Sequence, residues 1–531
     1  MKRAAGVFAL LTVVMMWPIA RHPASLAARH QDVYFNMWRL RWVAHALVTS
    51  PTHLFDGNIF HPEPNTLALS DAMIVEGIVA APLTWAGVKP VLVHNIMMLL
   101  PIAASGLAMF ALARHLTGSR GAGLLAGIAF AYAPYRYEHL MHMELQWTVW
   151  SPLALLALHR TLETGKLKYG IATGACVALQ MLSCIYYGIF LATFIAPAAL
   201  LLAFGDRAVP WRRTVGPLAA GAVLAATLGG LYSIPYARQH ARVGDRPITE
   251  INNFSAMPSN YLNVPKENWL YGNPGRPGHG ERRLFPGLTV VLLAIAGMLL
   301  RQPSRSTIMY VLILVAAFEI SLGFGGYVYP VLHRFVPVFR GLRAMARLGI
   351  FVVMALSVLA AYGYAALVEG RSVRVRRLVV AVLAGVMLAE YATRLSLTEF
   401  PNTAPAVYHV LAHLPRGVVA ELPVPAMDQL PGLDPDRAYM STFYWFPIVN
   451  GYSGNFPASY LARLERLRTF PDERSLRQLK ADNVRYVLVH AAAYSLPELE
   501  AIRSVLTAAG MHEIGQFDDS AENHGFLFST R

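Results

Sequence analysis

The sequence predicts an α-helical polytopic membrane protein of about eleven spans, N-terminus inside and C-terminus outside, ending in a small extracytoplasmic α/β domain. Three observations lead there. The 531 residues are 55% hydrophobic and only 14% charged, against roughly 25% charged in ordinary soluble domains. Apolar stretches recur along the first three quarters of the chain, near the roughly 20 residues a helix needs to cross about 30 Å of hydrocarbon. The connections alternate between short basic segments and longer ones of mixed charge, the asymmetry that orients helices in a membrane.

The spans fall at approximately 4–20, 91–113, 121–135, 146–159, 169–185, 187–205, 214–235, 286–300, 307–325, 346–368 and 378–393. With the first residue inside, the inner connections hold Lys2, Arg3; Arg114, Arg120; Arg160, Lys166, Lys168; Arg207, Arg212, Arg213; Arg301, Arg305; and Arg371, Arg374, Arg376, Arg377. Those sixteen basic residues face three acids, Glu163, Asp206 and Glu369, which accounts for +13 of the net +14. The basic balance is therefore a record of orientation in a plasma (inner) membrane, and no nucleic-acid partner is expected. The outer connections are long and mixed (21–90, 236–285, 325–345) or short and nearly free of basic residues. Met-Lys-Arg before the first apolar run and Ala-Ser-Leu-Ala-Ala after it also fit a signal peptide, whose removal leaves the remaining topology unchanged.

An odd number of spans puts 394–531 outside, so the chain divides into a membrane part, 1–393, and a tail. In the tail Pro and charge rise. Val418–Leu422 and Val484–His490 read as buried strands, with helices at 458–469 and 495–509. Cys176 and Cys184, eight positions apart in an apolar run, stand about 12 Å apart on a helix, too far for a disulfide.

No Walker loop, dinucleotide glycine pattern, Cys/His zinc pattern or His-Glu-x-x-His is present, so a soluble nucleotide or zinc site is not indicated. Polar residues crowd the outer connections instead. Asp32 opens a stretch whose Trp, Phe, Leu and Val recur at helical spacing, an amphipathic interface helix in which Asp32 is either a cap or a catalytic carboxylate at the membrane surface. Asp56-Gly reads as a turn, and Ser70-Asp71 starts another short helix, with the same two readings for Asp71. Between the third and fourth spans, Arg136, Glu138, His139, His142, Glu144 and Gln146 are pressed together. His139, His142 and Glu144 could ligate a divalent metal, although His-x-x-His is a weak signal and snorkelling side chains are the bland alternative. Tyr186 and Tyr187 fit an aromatic belt. Arg340, Arg343 and Arg347 are expected on one helical face at the outer start of the tenth span, where forked guanidinium groups suit a phosphate or lipid headgroups. Glu319 lies inside a span, where an unpaired carboxylate is costly, and Glu390 has Arg394 one turn on.

Together these segments resemble the C-type (GT-C) membrane glycosyltransferases, specifically the bacterial branch related to the YfhO proteins. The phrases are Asp32-Val-Tyr-Phe-Asn-Met-Trp-Arg-Leu-Arg-Trp-Val-Ala-His45, Leu54-Phe-Asp-Gly-Asn-Ile-Phe-His-Pro-Glu-Pro-Asn-Thr-Leu-Ala-Leu-Ser-Asp71, Ala133-Pro-Tyr-Arg-Tyr-Glu-His-Leu-Met-His142, Phe339-Arg-Gly-Leu-Arg-Ala-Met-Ala-Arg347 and Asn450-Gly-Tyr-Ser-Gly-Asn-Phe-Pro457. The resemblance covers nearly the whole chain. It implies a polyprenyl-phosphate-linked sugar donor, a glycan, lipid or protein acceptor, and a lipid bilayer as the setting. Asp32 matches the family's first-loop catalytic Asp. Many members carry a second acid beside it where this chain has Val33, which directs attention to Asp71, His142 and Glu144. Inverting transfer with Asp32 as general base is the implied mechanism, with Arg343 and Arg347 on the lipid phosphate and Arg136, His139 and Arg340 near the substrate. A lipid-linked sugar flippase and a non-catalytic envelope-assembly protein are the competing readings.

Overall fold

The computed structural model describes residues 1–203, 210–273, 280–518 and 524–530. Asp206 and Arg207, counted above with an inner connection, lie outside the described residues. All the expected apolar stretches lie on helices: Lys2–Met15, Pro90–Thr117, Arg120–Tyr132, Trp150–Thr164, Leu167–Ser183, Ile185–Ala203, Trp211–Val243, Leu288–Leu299, Arg305–Ser321, Gly349–Leu367 and Val373–Tyr391. Among the described residues, four helices are long and apolar enough to cross a membrane: Pro90–Thr117, Ile185–Ala203, Trp211–Val243 and Met345–Leu367. The others are shorter or more charged. Arg120–Tyr132, with 13 residues, extends only about 20 Å at 1.5 Å per residue. Ser119, Ser304 and Ser372 each cap the following helix by accepting a backbone N–H three residues on, a preference that follows from the unpaired amides of a helix start.

Contacts divide the chain into two units. The first comprises Met1–Ala28, Asn95–Ile234 and Gly244–Thr398. At its centre is Gly349–Leu367, in which every residue from Gly349 to Tyr364 is buried. Such a helix is apolar all round because it has neighbours all round: Leu288–Leu299, Arg305–Ser321 and Arg120–Tyr132 pack on it. The crossing with Leu288–Leu299 is close enough to need glycine. A Cβ at Gly363 would lie 1.9 Å from the carbonyl oxygen of Leu293, and one at Gly297 would lie 2.2 Å from that of Leu359. Small residues at helix crossings let backbones approach where apolar surroundings supply little other drive for association.

Two carboxylates in this unit act on helix starts. Glu319 accepts from the backbone N–H groups of Tyr327 and Val328, the latter at 3.0 Å, which holds the start of Val328–Phe335. Glu390 accepts from the N–H groups of Leu288 and Thr289 at 3.1 Å and from the Tyr271 hydroxyl at 2.9 Å. The Arg394 explanation expected for Glu390 is therefore replaced: its partners are the unpaired amides of a helix N-terminus, a favourable place for a negative charge.

The second unit comprises Arg29–His94, Pro235–Val243 and Glu399–Arg531. The first outer loop thus folds with the tail. Four strands form one sheet in the order Val418–Leu422, Val484–His490, His524–Ser529, His512–Asp518. The first two run parallel and the rest antiparallel. Val418, Leu422, Val487, Val489, Leu499, Ile502, Leu506 and Phe528 are in its core. Asn58 joins loop to tail, and Asn450 braces the tail's side of the contact. Asn58 accepts from the Trp38 indole at 2.9 Å and donates to Ser441 Oγ and the Phe446 carbonyl, both at 3.0 Å. Asn450 accepts from the Glu421 N–H at 2.9 Å and donates to the Glu421 carbonyl at 3.0 Å and to Asp434 at 3.1 Å. Between them the backbones pair: Ile448 N–H to Asn58 O, Phe60 N–H to Asn450 O and His61 N–H to Ile448 O. The last turns of Trp211–Val243 belong here too, with Tyr236 accepting from the Ala72 N–H at 2.9 Å and Gln239 donating to the carbonyl oxygen of Pro64 at 2.5 Å.

Gly363→Ala is expected to destabilise the protein by about 1–3 kcal/mol, since the added methyl must displace backbone. Gly385→Ala, whose Cβ would meet nothing within 4 Å, is expected to be neutral or slightly stabilising. Thermal unfolding in detergent, compared between the two variants, checks the difference; equal midpoints contradict it.

Candidate functional site

Asp32 is the first residue of the helix Asp32–Thr49, in the first turn where a carboxylate is favourably placed. Its Oδ1 accepts from the hydroxyl of Tyr452 at 2.5 Å, while its backbone N–H donates to His30 Nδ1 at 3.1 Å. That bond requires an unprotonated Nδ1. The same imidazole nitrogen stands 3.6 Å from Oδ1, and the Asp32 side chain is 12% exposed. Behind it, the Phe35 ring meets Tyr452 edge-on at 5.1 Å and stacks on Trp38 at 5.5 Å. The helical period places Phe35, Trp38 and Arg39 within a turn or two of Asp32.

Asp71 is also buried. Its backbone carbonyl accepts from Arg39 at 2.7 Å, and Arg39 donates in turn to Asn36 at 2.5 Å. The helix expected at Asp71 starts at Ile74 instead, and Asp71 lies in the irregular segment before it. Asp56 is the turn residue it was expected to be, accepting from the Asn65 N–H at 2.7 Å. Glu76, buried in the first turn of Ile74–Trp85, and Arg39 were not singled out by the sequence.

The first unit holds the second grouping. Pro134–Glu138 is a single short helical piece, so Arg136, His139 and His142 do not share a longer helical face. Arg136 is fully buried. It donates to the Phe130 carbonyl at 2.8 Å, to Gln146 at 3.2 and 3.3 Å, and to Thr148 Oγ1 at 2.6 Å. Gln146 returns bonds to the carbonyls of Arg136 and His139. Arg136 therefore clamps its own loop and is not placed as a substrate ligand. Glu138, expected in the same polar cluster, pairs with Arg283 at 2.8 Å.

What this loop presents is His139 and His142, whose Nδ1 atoms share a hydrogen bond at 3.3 Å, facing Glu281. The latter, not Glu144, completes a set whose ligand atoms lie within 4.8 Å of one another. Arg347 already holds Glu281 with two guanidinium nitrogens, at 3.1 and 2.7 Å. Burial opposes ionisation of Glu281, but the Arg347 guanidinium outweighs it and keeps this carboxyl well below the usual range. Burial chiefly pushes His139 down to about 3, so its ring is neutral. Imidazoles and a carboxylate are suitable ligands for a divalent metal, and here a guanidinium takes the place of the cation beside the carboxylate. Glu144 is buried within electrostatic reach of Arg347.

The arginines do not form one face. Residues 337–341 and 345–348 are separate 3-10 turns, so the helical spacing assumed for Arg340, Arg343 and Arg347 does not hold. Arg340 donates to the carbonyls of His333 and Arg334 at 3.1 and 2.9 Å. Arg343 donates to Glu250 at 2.9 Å, and Arg246 donates to the same carboxylate at 3.3 Å. Two guanidinium groups thus meet at one carboxylate. Tyr186, expected as a belt residue, accepts from the Arg343 N–H at 3.0 Å and lies under the Arg347 guanidinium at 4.8 Å. Glu250, Glu281 and Arg246 carry no local motif, and only the folded chain brings them to these arginines.

No family model and no curated protein matches the chain. Among solved structures, the arabinofuranosyltransferase AftD from Mycobacteria, in two particle classes, is similar over 99% of this chain and 41% of its own, with TM-scores of 0.61 and 0.60 and identities of 15% and 16%. This chain thus spans about two fifths of the length of the AftD chain. The oligosaccharyltransferase AglB from Archaeoglobus fulgidus, in complex with an inhibitory peptide and a dolichol-phosphate, gives a TM-score of 0.46 at 11% identity over 99% of this chain and 74% of its own. ArnT from Cupriavidus metallidurans, bound to undecaprenyl phosphate, gives 0.45 at 12% over 99% and 97%. The likeness to AftD shows a shared fold.

Glu281→Gln leaves a buried Arg347 without its counter-charge and is expected to cost about 3–5 kcal/mol, with part recovered in Glu281→Gln/Arg347→Gln. Because folding lowers the Glu281 pKa, its contribution is complete above the free carboxyl value of about 4.3 and is lost only as pH falls further. The gap between parent and variant, read by thermal unfolding, should be constant from about pH 5 to 8 and shrink below about pH 4; a gap that grows on acidification contradicts the pairing.

Proposed function

We propose that this chain is a membrane glycosyltransferase that moves a sugar from a polyprenyl-phosphate-linked donor to a glycan, lipid or protein acceptor at the extracytoplasmic face, with inversion. The observation carrying this reading is the fold shared with AftD along 99% of the chain. The acid that the first-loop resemblance singles out, Asp32, lies buried but reachable in that frame.

In the proposed reaction an acceptor hydroxyl oxygen forms a bond to the anomeric carbon as the bond from that carbon to the donor phosphate oxygen breaks. Asp32 takes the hydroxyl proton. Developing alkoxide character makes an adjacent proton acceptor worth about 10²–10⁴-fold in rate. The lipid phosphate leaves as an anion and needs positive charge instead of a proton. Arg343 is assigned to it, as the family resemblance implies, with Arg246 beside it on Glu250. Arg347, His142 and Glu144 are assigned to shaping the site, and Asp71 to holding Arg39 through its carbonyl.

Purified protein in lipid nanodiscs, offered a panel of polyprenyl-phosphoryl pentoses and hexoses, should release polyprenyl phosphate. Asp32→Asn should lower turnover at least 100-fold while donor binding stays within about twofold; unchanged turnover removes the base assignment. Arg343→Gln should weaken donor binding about tenfold, the loss expected of one charge-assisted contact worth about 1.5 kcal/mol. Movement of donor between vesicle leaflets without transfer would favour a flippase.

A further inference from the structure

We infer that Tyr452, a residue of the tail, is the positioning residue that orients the Asp32 carboxylate for proton abstraction. This rests on the base role proposed for Asp32. The hydroxyl of Tyr452 donates to Oδ1 at 2.5 Å. Tyr452 is held in turn. Two residues before it, Asn450 is bonded to the backbone and acid of its own domain through Glu421 and Asp434. At Gly451 a Cβ would sit 2.6 Å from the Phe60 ring, so only glycine lets the chain pass there. The Tyr452 ring then lies edge-on to Phe35, on the same helix as Asp32.

A carboxylate on a freely turning side chain presents either oxygen in many directions. A short bond to one oxygen, from a ring wedged against Phe35, restricts how the carboxylate turns and favours the ionised form needed at the start of the reaction. The tail is in this reading part of the catalytic apparatus, supplying a phenol to an acid more than 400 positions earlier in the chain. Tyr452 and His30 are both placed against Asp32, and the test must tell them apart.

The test is an infrared titration of the carboxyl band that Asp32→Asn removes, carried out on the full chain in nanodiscs and in a His30→Gln background. Tyr452→Phe keeps the ring and removes the donor. The midpoint should rise by about one pH unit, a tenfold change in proton affinity. Replacing Tyr452 alone by 3-fluorotyrosine, a more acidic phenol and a stronger donor, should move the midpoint down. On any donor that turns over, Tyr452→Phe should lower kcat about tenfold with KM unchanged. Midpoints that do not move, or that move the same way in both variants, overturn the inference and leave the Asp32 assignment standing. Full turnover by Asp32→Asn overturns the reading on which it rests.

Discussion

The second unit depends on one buried carboxamide. Asn58 joins an early loop to a late domain, accepting from Trp38 and donating to Ser441 Oγ and the Phe446 carbonyl. A buried amide left without partners costs about 1–3 kcal/mol, so this residue makes the loop's position a condition of the tail's stability. The backbones of 58–61 and 448–450 pair beside it, and Asn450, bonded to Glu421 and Asp434 within the tail, holds the tail's side of that pairing. The meeting of Asp32 with Tyr452 follows, because Trp38 on the Asp32 helix is bonded to Asn58 and Tyr452 follows Asn450 by two residues. Long loops without partners are rarely ordered in compact proteins; this one is ordered by a domain that the chain makes last.

The acids differ in the partners they meet and in their access. Glu319 and Glu390 are engaged by backbone amides at helix starts. Glu281 is matched by Arg347. In the tail, Glu421 accepts from Tyr408 and His490, both at 2.8 Å, and Asp434 from Arg437 at 3.2 Å. Asp32 is likewise met by a phenol and an imidazole. What separates it from Glu421 is access: its side chain is 12% exposed, whereas that of Glu421 is fully buried.

Much of this architecture is legible in the sequence because helical spans and buried strands leave local patterns. Val418–Leu422 and Val484–His490 fall as expected, since continuous apolar runs of that length are strands flanked by turns. The strands His512–Asp518 and His524–Ser529 were not anticipated: the first is polar and largely exposed at the sheet edge, and lacks the alternation that marks a half-buried strand. The arginine group was misread because 3.6-residue spacing was applied to two 3-10 turns. Glu281 carries no local signal, and Tyr452 stands in a phrase that carries the resemblance without a role attached to it. They gain meaning from partners 66 and 420 positions away, which a single sequence does not reveal. The boundary between the units escaped for the same reason, because a loop that folds with a distant domain looks like a loop.

Hydrogen exchange on full-length Asn58→Ala tests most directly whether the early loop and the tail fold as one catalytic unit. Protection should fall together at 32–38, 58–61 and 446–450, leaving Gly349–Leu367 unchanged. Loss confined to the loop around residue 58, with the amides of 446–450 as protected as before, would contradict the dependence of one segment on the other.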